Sequence, residues 1–319
     1  MNHADENRTG QLARNVAIAL RFKKSQGTPE MPQVEKEILA PGYNRARGGS
    51  FHLAANARDQ DFSHPGMYLR AAIPDRVDII EEVIAEGDRV GLLFRVTGTH
   101  TGSFFGVPPT GRRIDVYELA LLRIVNGQIV EGWFMMDETG LLKQLGARLP
   151  PRGDGSSVAP PLPKSGEDAD AYAQRLASQP EASEQDRRKF IVARSRGATR
   201  SKADRAADHR FTRSGFMHMR EYCALHGMGD LDLDLQTGIP DRRDRIDVMI
   251  EEGDHVWMRY STSGTHKAAF CGVPPTGKRV GVPVVSIMKF IGGEWKETWS
   301  LADELGMMLQ LGAPNLLLE

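Results

Sequence analysis

The chain has 319 residues, too long for one small domain and about right for two of roughly 150 each. Hydrophobic residues make up 40%, charged residues 26%, and the formal net charge is -1, which excludes a wholly disordered, collagen-like or supercharged chain. Two cysteines, Cys223 and Cys271, cannot build a disulfide framework or a four-cysteine zinc site, and their scarcity fits a reducing compartment. The apolar stretch Val16–Leu20 is too short for a secretory signal, and no run of 18 apolar residues follows, so the chain reads as cytoplasmic with no membrane partner.

Residues 1–10 read as a flexible tail, and 11–148 as a first domain. Apolar residues at helical spacing run from Leu12 to Lys24 and from Val34 to Ala40, interrupted by Thr28-Pro29 and Pro32. The period then changes. Val77–Ile84, Arg89–Thr97, Ile114–Val125 and Gln128–Met136 are rich in branched and aromatic residues and predict strands, with Asn126-Gly127 as a hairpin turn between the last two. Asp137 opens a short apolar helix that Gly146 closes. Residues 149–170 hold five prolines and little to bury, the composition of an extended linker. Helical patterning resumes at Ala171–Leu176 and Glu184 to about Arg196, inside a second domain spanning 171–319. Helices followed by hairpin-linked strands predict an α+β fold whose sheet is antiparallel at least at that hairpin.

The second half repeats the first at an offset of 166 residues. Pro74-Asp-Arg76 recurs as Pro240-Asp-Arg242, Gly98-Thr-His100 as Gly264-Thr-His266, Gly106-Val-Pro-Pro-Thr-Gly111 as Gly272–Gly277, Asp137-Glu138 as Asp303-Glu304, and Gln144-Leu-Gly-Ala147 as Gln310–Ala313. From Pro74 to Ala147 no gap is needed and 32 of 74 positions are identical, so the units are whole domains of one fold rather than short solenoid repeats.

These motifs, in this order and present twice, resemble the SnoaL-like polyketide cyclase (ester cyclase) family of the nuclear transport factor 2-like (NTF2-like) superfamily. The resemblance implies two tandem cone-shaped α+β barrel domains, each a curved antiparallel sheet wrapped on helices around an apolar pocket. It also implies a small, mostly hydrophobic polyketide-like or carbonyl ligand, no metal or organic cofactor, and sheet-to-sheet pairing as an intrachain pseudo-dimer or a homodimer. In the cyclases a carboxylate removes a proton beside a carbonyl and nearby donors stabilise the enolate. The position of that catalytic Asp is Phe134 in the first copy and Ser300 in the second. The pocket His maps to Ala120 and Ser286, and the Asn to Arg45, with Phe211 as its counterpart.

Residues two apart on a strand share a face, so Phe134 and Ala120 bring Gly132, Met136, Glu118, Leu122 and Val116 to the pocket side, with Ser286, Met288 and Ser300 lining the second pocket. Glu118 is either a general base replacing the absent Asp or a glutamate paired with an arginine; its counterpart is Val284. Asp137 and Asp303 are either helix caps or carboxylate bases. His100 and His266 either fix the Gly-Val-Pro-Pro-Thr-Gly turn or serve in acid–base chemistry. His218, Cys223 and His226 have a spacing that could be bent into a metal or nucleophile site, but lack a fourth ligand and read as packing. From Arg187 to Arg213 ten Lys or Arg face only Asp204 and Asp208; this is a solvated face or a contact for an anionic ligand, and it lacks the aromatic platforms of nucleic-acid binding. The functional expectations are therefore a cofactor-independent cyclase, isomerase or hydrolase using Glu118, Asp137 or His100, a non-catalytic ligand-binding protein, or an oligomerisation module.

Overall fold

The computed structural model describes residues 3–47, 52–57, 65–179, 183–199 and 203–319. Arg200 and Lys202 of the basic stretch, and Met1 and Asn2 of the tail, lie outside the described residues. The chain divides into two compact units, Met1–Val158 and Ala159–Leu317, apart from the last two residues. Each unit is α+β: one mixed sheet packed against helices.

In the first unit α1 (His3–Ser25), α2 (Met31–Ile38), β1 (Leu39–Arg47), α3 (His52–Asn56) and α4 (Pro65–Ala72) precede the hairpin-linked β2 (Val77–Glu86), β3 (Arg89–Thr99), β4 (Arg113–Val125) and β5 (Gln128–Met136), and α5 (Glu138–Leu145) closes the unit. The sheet order is β1-β5-β4-β3-β2. The second unit adds β6 (Glu167–Asp168), α6 (Ala169–Ala177), α7 (Glu184–Arg194), β7 (Arg205–Arg213), α8 (Met217–Leu225) and α9 (Leu231–Gly238) before β8 (Arg243–Glu252), β9 (His255–Thr265), β10 (Arg279–Ile291), β11 (Glu294–Ala302) and α10 (Glu304–Leu311). Its sheet order is β6-β8-β9-β10-β11-β7.

The consecutive strands β2 to β5 and β8 to β11 pair antiparallel, while one edge strand of each sheet runs parallel to its neighbour. β1 runs parallel to β5, and β7 parallel to β11. Neither strand is signalled by alternation. Leu39–Arg47 contains Pro41 and Gly42, and Arg205–Arg213 is mostly polar; each lies at a sheet edge, where only one side of the backbone is paired and Pro is tolerated. α1 begins at His3, inside the stretch read as a tail. The proline-rich segment is tied down on both sides: Leu149 is buried, the Val158 N–H donates to the Asn56 side chain, the Pro160 carbonyl accepts from Gln310, and Glu167–Asp168 pairs with β8.

The motifs that repeat between the copies build the frame. Asn126 and Gly127 both have positive φ, as do Gly292 and Gly293, the geometry a two-residue hairpin needs to match strand twist. β2 and β8 carry a register shift at equivalent places, between Ile80 and Glu82 and between Ile246 and Val248, and such bulges bend a sheet. Asp75 accepts from the Thr99 N–H and hydroxyl, and Asp241 from those of Thr265. Gly98 is required between them, because a Cβ there would lie 2.3 Å from Ile73 Cγ2 at a φ of +153°. The Gln144 amide accepts from the Asp115 N–H and donates to its carbonyl, holding α5 to β4, and Gln310 does the same at Gly281.

Asp137 caps α5 by accepting from the Gly140 N–H at 2.8 Å, and Asp303 caps α10 from Gly306 at 2.8 Å. The next residue reaches across the unit. Glu138 accepts from the backbone N–H groups of His52 and Leu53 at 2.9 and 3.0 Å, at the start of α3, while Glu304 accepts from His218 and Met219 at the start of α8. These glutamates are only 6% and 2% exposed, so losing either would leave two buried N–H donors without their acceptor. Glu138→Ala is expected to lower the unfolding free energy by about 2 kcal/mol, read as a lower urea midpoint, with a smaller loss for Glu138→Gln, which keeps one acceptor oxygen.

Candidate functional site

In the first unit the inner sheet face is the one α1 covers. The register sets Phe94 of β3, Glu118 of β4 and Met136 of β5 side by side, with Ala120 beside Phe134 in the next row. Phe22 of α1 packs on Phe134 with ring centroids 6.3 Å apart, and the Lys23 ammonium sits 3.6 Å above the Phe94 ring. Glu118 therefore faces the helix side. It is 5% exposed, and its charge acts on Lys23.

Lys23 was not among the residues singled out from sequence. Its side chain is 6% exposed and its Nζ lies 2.7 Å from Asp78 Oδ2, while Arg76 forks onto both Asp78 oxygens at 2.7 and 2.9 Å. Burial, helped by repulsion from Arg76, lowers its pKa to about 8, against the opposing pull of Glu118 and Asp78. Burial alone would raise the Asp78 carboxyl, but Lys23 and Arg76 hold it below its ordinary value. A lysine in the last turn of an amphipathic helix reads as a solvated basic residue, and only its approach to the sheet reveals otherwise.

The edge strand completes this face. Arg45 of β1 stands opposite Gly132, with its guanidinium 5.1 Å from the Phe134 ring centroid. The Tyr43 hydroxyl occupies the space a Cβ at Gly132 would need, 2.3 Å from its ideal position. Gly132, expected to line the pocket, is thus covered by Tyr43.

The second unit holds a cavity of about 100 Å³ that opens to solvent. Four arginines line it, Arg196, Arg205, Arg220 and Arg242, together with Tyr260 and Ser300. Ser300 shares a hydrogen bond of 2.8 Å with Ser286, both buried, and Met288 is fully buried in the core of this unit.

In the first unit Ala120, Leu122, Phe134 and Met136 are all buried. Asp137 and Asp303 stand as the helix caps described above. His100 is fully buried, and its Nδ1 accepts from the Thr110 N–H at 3.3 Å and lies 3.1 Å from the Thr110 hydroxyl, so the ring proton is on Nε2. Burial pushes this imidazole below its usual pKa, against a backbone contact to Gly102. His266 repeats the arrangement with Thr276.

Cys223 lies 3.4 Å from Cys271, sulfur to sulfur, both buried and not joined in a disulfide. His226 instead stacks near Tyr222, with centroids 4.1 Å apart. Among the described residues no group of three His, Cys, Asp or Glu side chains is placed to ligate a metal ion, and no helix is long and apolar enough to cross a membrane. The basic stretch is divided: Arg188, Arg194 and Arg210 meet Glu184, Asp204 and Glu297, whereas Arg196 and Arg205 turn into the cavity.

A family model described as SnoaL-like polyketide cyclase matches the chain twice, over residues 66–145 and 202–311. The aklanonic acid methyl ester cyclase DauD of Streptomyces sp. (strain C5) is 37% identical over 154 residues, 48% of this chain and 94% of that protein. The nogalonic acid methyl ester cyclase of Streptomyces nogalater is 35% identical over 80 residues, 25% of this chain and 60% of that protein. A solved structure from Jannaschia sp. CCS1, assigned as a SnoaL-like polyketide cyclase, is 26% identical, covering 44% of this chain and 94% of its own, with a TM-score of 0.36.

The lowered pKa of Lys23 has a signed consequence for stability. Between about pH 8 and its unfolded value of 10.5 the unfolded chain holds a proton that the folded chain has released, so stability rises with pH across that window. The difference in unfolding free energy between wild type and Lys23→Met should therefore move in favour of wild type from pH 8 to pH 10.5, and stay level below pH 7, as measured by urea unfolding at each pH.

Proposed function

Because the chain belongs to the SnoaL-like polyketide cyclase family and carries its domain twice, we propose that it binds a small, mostly apolar carbonyl compound of polyketide type. Its first unit transfers a proton on that compound without a cofactor. The observation that carries this reading is the burial of Glu118 on the helix-covered face of the first sheet, directly opposite Phe94, over whose ring the buried Lys23 ammonium sits. The names of the relatives, both methyl ester cyclases, support a carbonyl-bearing ester as the substrate class.

Glu118 takes a proton from the carbon beside a carbonyl. The Lys23 ammonium, made a stronger donor by its lowered pKa, stabilises the enolate oxygen. The enolate carbon then adds to a second carbonyl carbon of the same molecule, and the proton held by Glu118 passes to the new alkoxide. One carbon–carbon bond forms, no atoms are lost, and the carboxylate is regenerated. His100 and Asp137 support the site by fixing a turn and a helix start, and take no part in the proton transfer.

A second reading, a ligand-binding protein without catalysis, is favoured by one observation: Phe134 and Ser300 stand where the resemblance places the carboxylate base. Proton NMR in D2O separates the two. Aryl methyl ketones that raise the melting temperature of the protein should lose their α-protons to solvent faster in its presence, with Glu118→Gln slowing exchange about 100-fold and Lys23→Met slowing it less. Ketones that stabilise the protein but show no accelerated exchange would leave only the binding reading.

A further inference from the structure

We infer that the cavity of the second unit is a binding site for a small organic anion, one carboxylate or phosphate group on an apolar body. This rests on the second unit alone and holds whether or not the first unit is catalytic.

The lining is one-sided in charge. Arg196, Arg205, Arg220 and Arg242 converge on a space that no Asp or Glu lines among the described residues. Two of the four are answered from outside the cavity. Arg242 forks onto Asp244 with two bonds of 3.1 Å, and Arg220 reaches the exposed Asp230 at 3.5 Å. The other two rest on aromatic faces: Arg196 is 4.8 Å from the Tyr260 ring centroid, and Arg205 is 5.0 Å from those of Phe211 and Trp295. Stacking on Tyr260 leaves the edge of the Arg196 guanidinium available to donate to an anion. Arg196 Nε is buried with no hydrogen-bond partner. Phe216 and Leu235 complete an apolar wall, and the Ser300 hydroxyl adds a neutral polar group.

The first copy shows that this charge belongs to the second unit and not to the fold. At the offset of 166 residues, Arg205 and Arg220 replace Leu39 and Ala54, while Arg242 is shared as Arg76. The strand register confirms the first equivalence, since Leu39 pairs with Ile129 and Arg205 with Trp295. At the helix end, Ser25 bonds to the Phe22 carbonyl and Ser195 to that of Val192, which sets Arg196 against Gln26 and Ala193 against Lys23. The second copy has thus gained three arginines and lost both Lys23 and Glu118, the latter to Val284. It has also exchanged the Phe134 ring for Ser300, which opens the space the arginines surround. A site that loses its base, empties its centre and adds only cations has the chemistry to hold an anion.

Titration calorimetry of the full chain with 1-naphthoate, 1-naphthyl phosphate, inorganic phosphate and the neutral methyl 1-naphthoate tests this. The naphthoate or the naphthyl phosphate should bind, the tighter of the two identifying the anionic group, with the methyl ester about tenfold weaker or worse. Inorganic phosphate should bind more weakly than the naphthyl phosphate, because it lacks the apolar body. Arg196→Gln and Arg205→Leu, which install the residues of the first copy, should each weaken anion binding about tenfold and leave the ester unchanged, so retained ester binding shows that the variants are folded. Their melting temperatures without ligand should match or exceed wild type, because a convergent cation has been removed. Glu118→Gln should leave anion affinity untouched, which separates this site from the proton-transfer reading. Equal affinity for naphthoate and its methyl ester, no binding of either anion, or wild-type anion affinity in both arginine variants would overturn the proposal.

Discussion

Each unit depends on a buried carboxylate at the end of its last strand that accepts from the start of a helix about 85 positions earlier in the chain. Glu138 holds the first N–H groups of α3, and Glu304 those of α8. A helix start presents several unsatisfied donors, and burying one without an acceptor costs about 1–3 kcal/mol. The neighbouring Asp137 or Asp303 caps its own helix, so two consecutive acidic residues join the last strand to two different helices. This join sets where α3 and α8 lie against the sheet, and so whether position 54 or 220 can reach the interior.

On that common frame the two interiors have diverged. The first encloses a mixed, largely buried set of charges, Lys23, Arg76, Asp78 and Glu118, that offset one another. The second keeps the Arg242–Asp244 fork and replaces the rest with arginines, serines and a tyrosine. Of the motifs that identify the family, only the arginine of Pro-Asp-Arg, Arg76 or Arg242, enters these sets. Pro-Asp-Arg, Gly-Thr-His, the Gly-Val-Pro-Pro-Thr-Gly turn and Gln-Leu-Gly-Ala are occupied with turns, caps and strand clamps, apart from the arginine of the first. Repetition marks what the fold requires, and the chemistry lies where the copies differ.

The legibility of the chain follows the same division. Asn126-Gly127 and Gly146 carry local geometry in residue type, so hairpins and helix ends could be read directly, and once the resemblance placed Ala120 and Phe134 inward, alternation along β4 brought Glu118 to the same face. β1 and β7 could not be read this way. An edge strand is paired on one side only, tolerates Pro41 or a run of charges, and shows no period. Arg45 in β1 could be placed only through the family resemblance and the offset that pairs it with Phe211, and that pairing agrees with the register, where both face equivalent residues of the neighbouring strand. Gly132 reads as pocket lining because nothing local announces that Tyr43 will lie over it.

Sequence by itself determined the α+β class, the doubling of the unit, the hairpins and caps, and the absence of a carboxylate at positions 134 and 300, because each of these is a property of residue type or of spacing along the chain. Tertiary structure alone decided that Lys23 is buried beside Glu118 with its pKa lowered, and that Arg196 and Arg205 leave the basic stretch for a cavity while Arg194 and Arg210 stay outside with Asp204 and Glu297. A charged side chain carries the same letters in water and in a cavity. What changes its chemistry is the dielectric and the neighbouring charge around it, and these come from residues distant in the chain that only folding brings near.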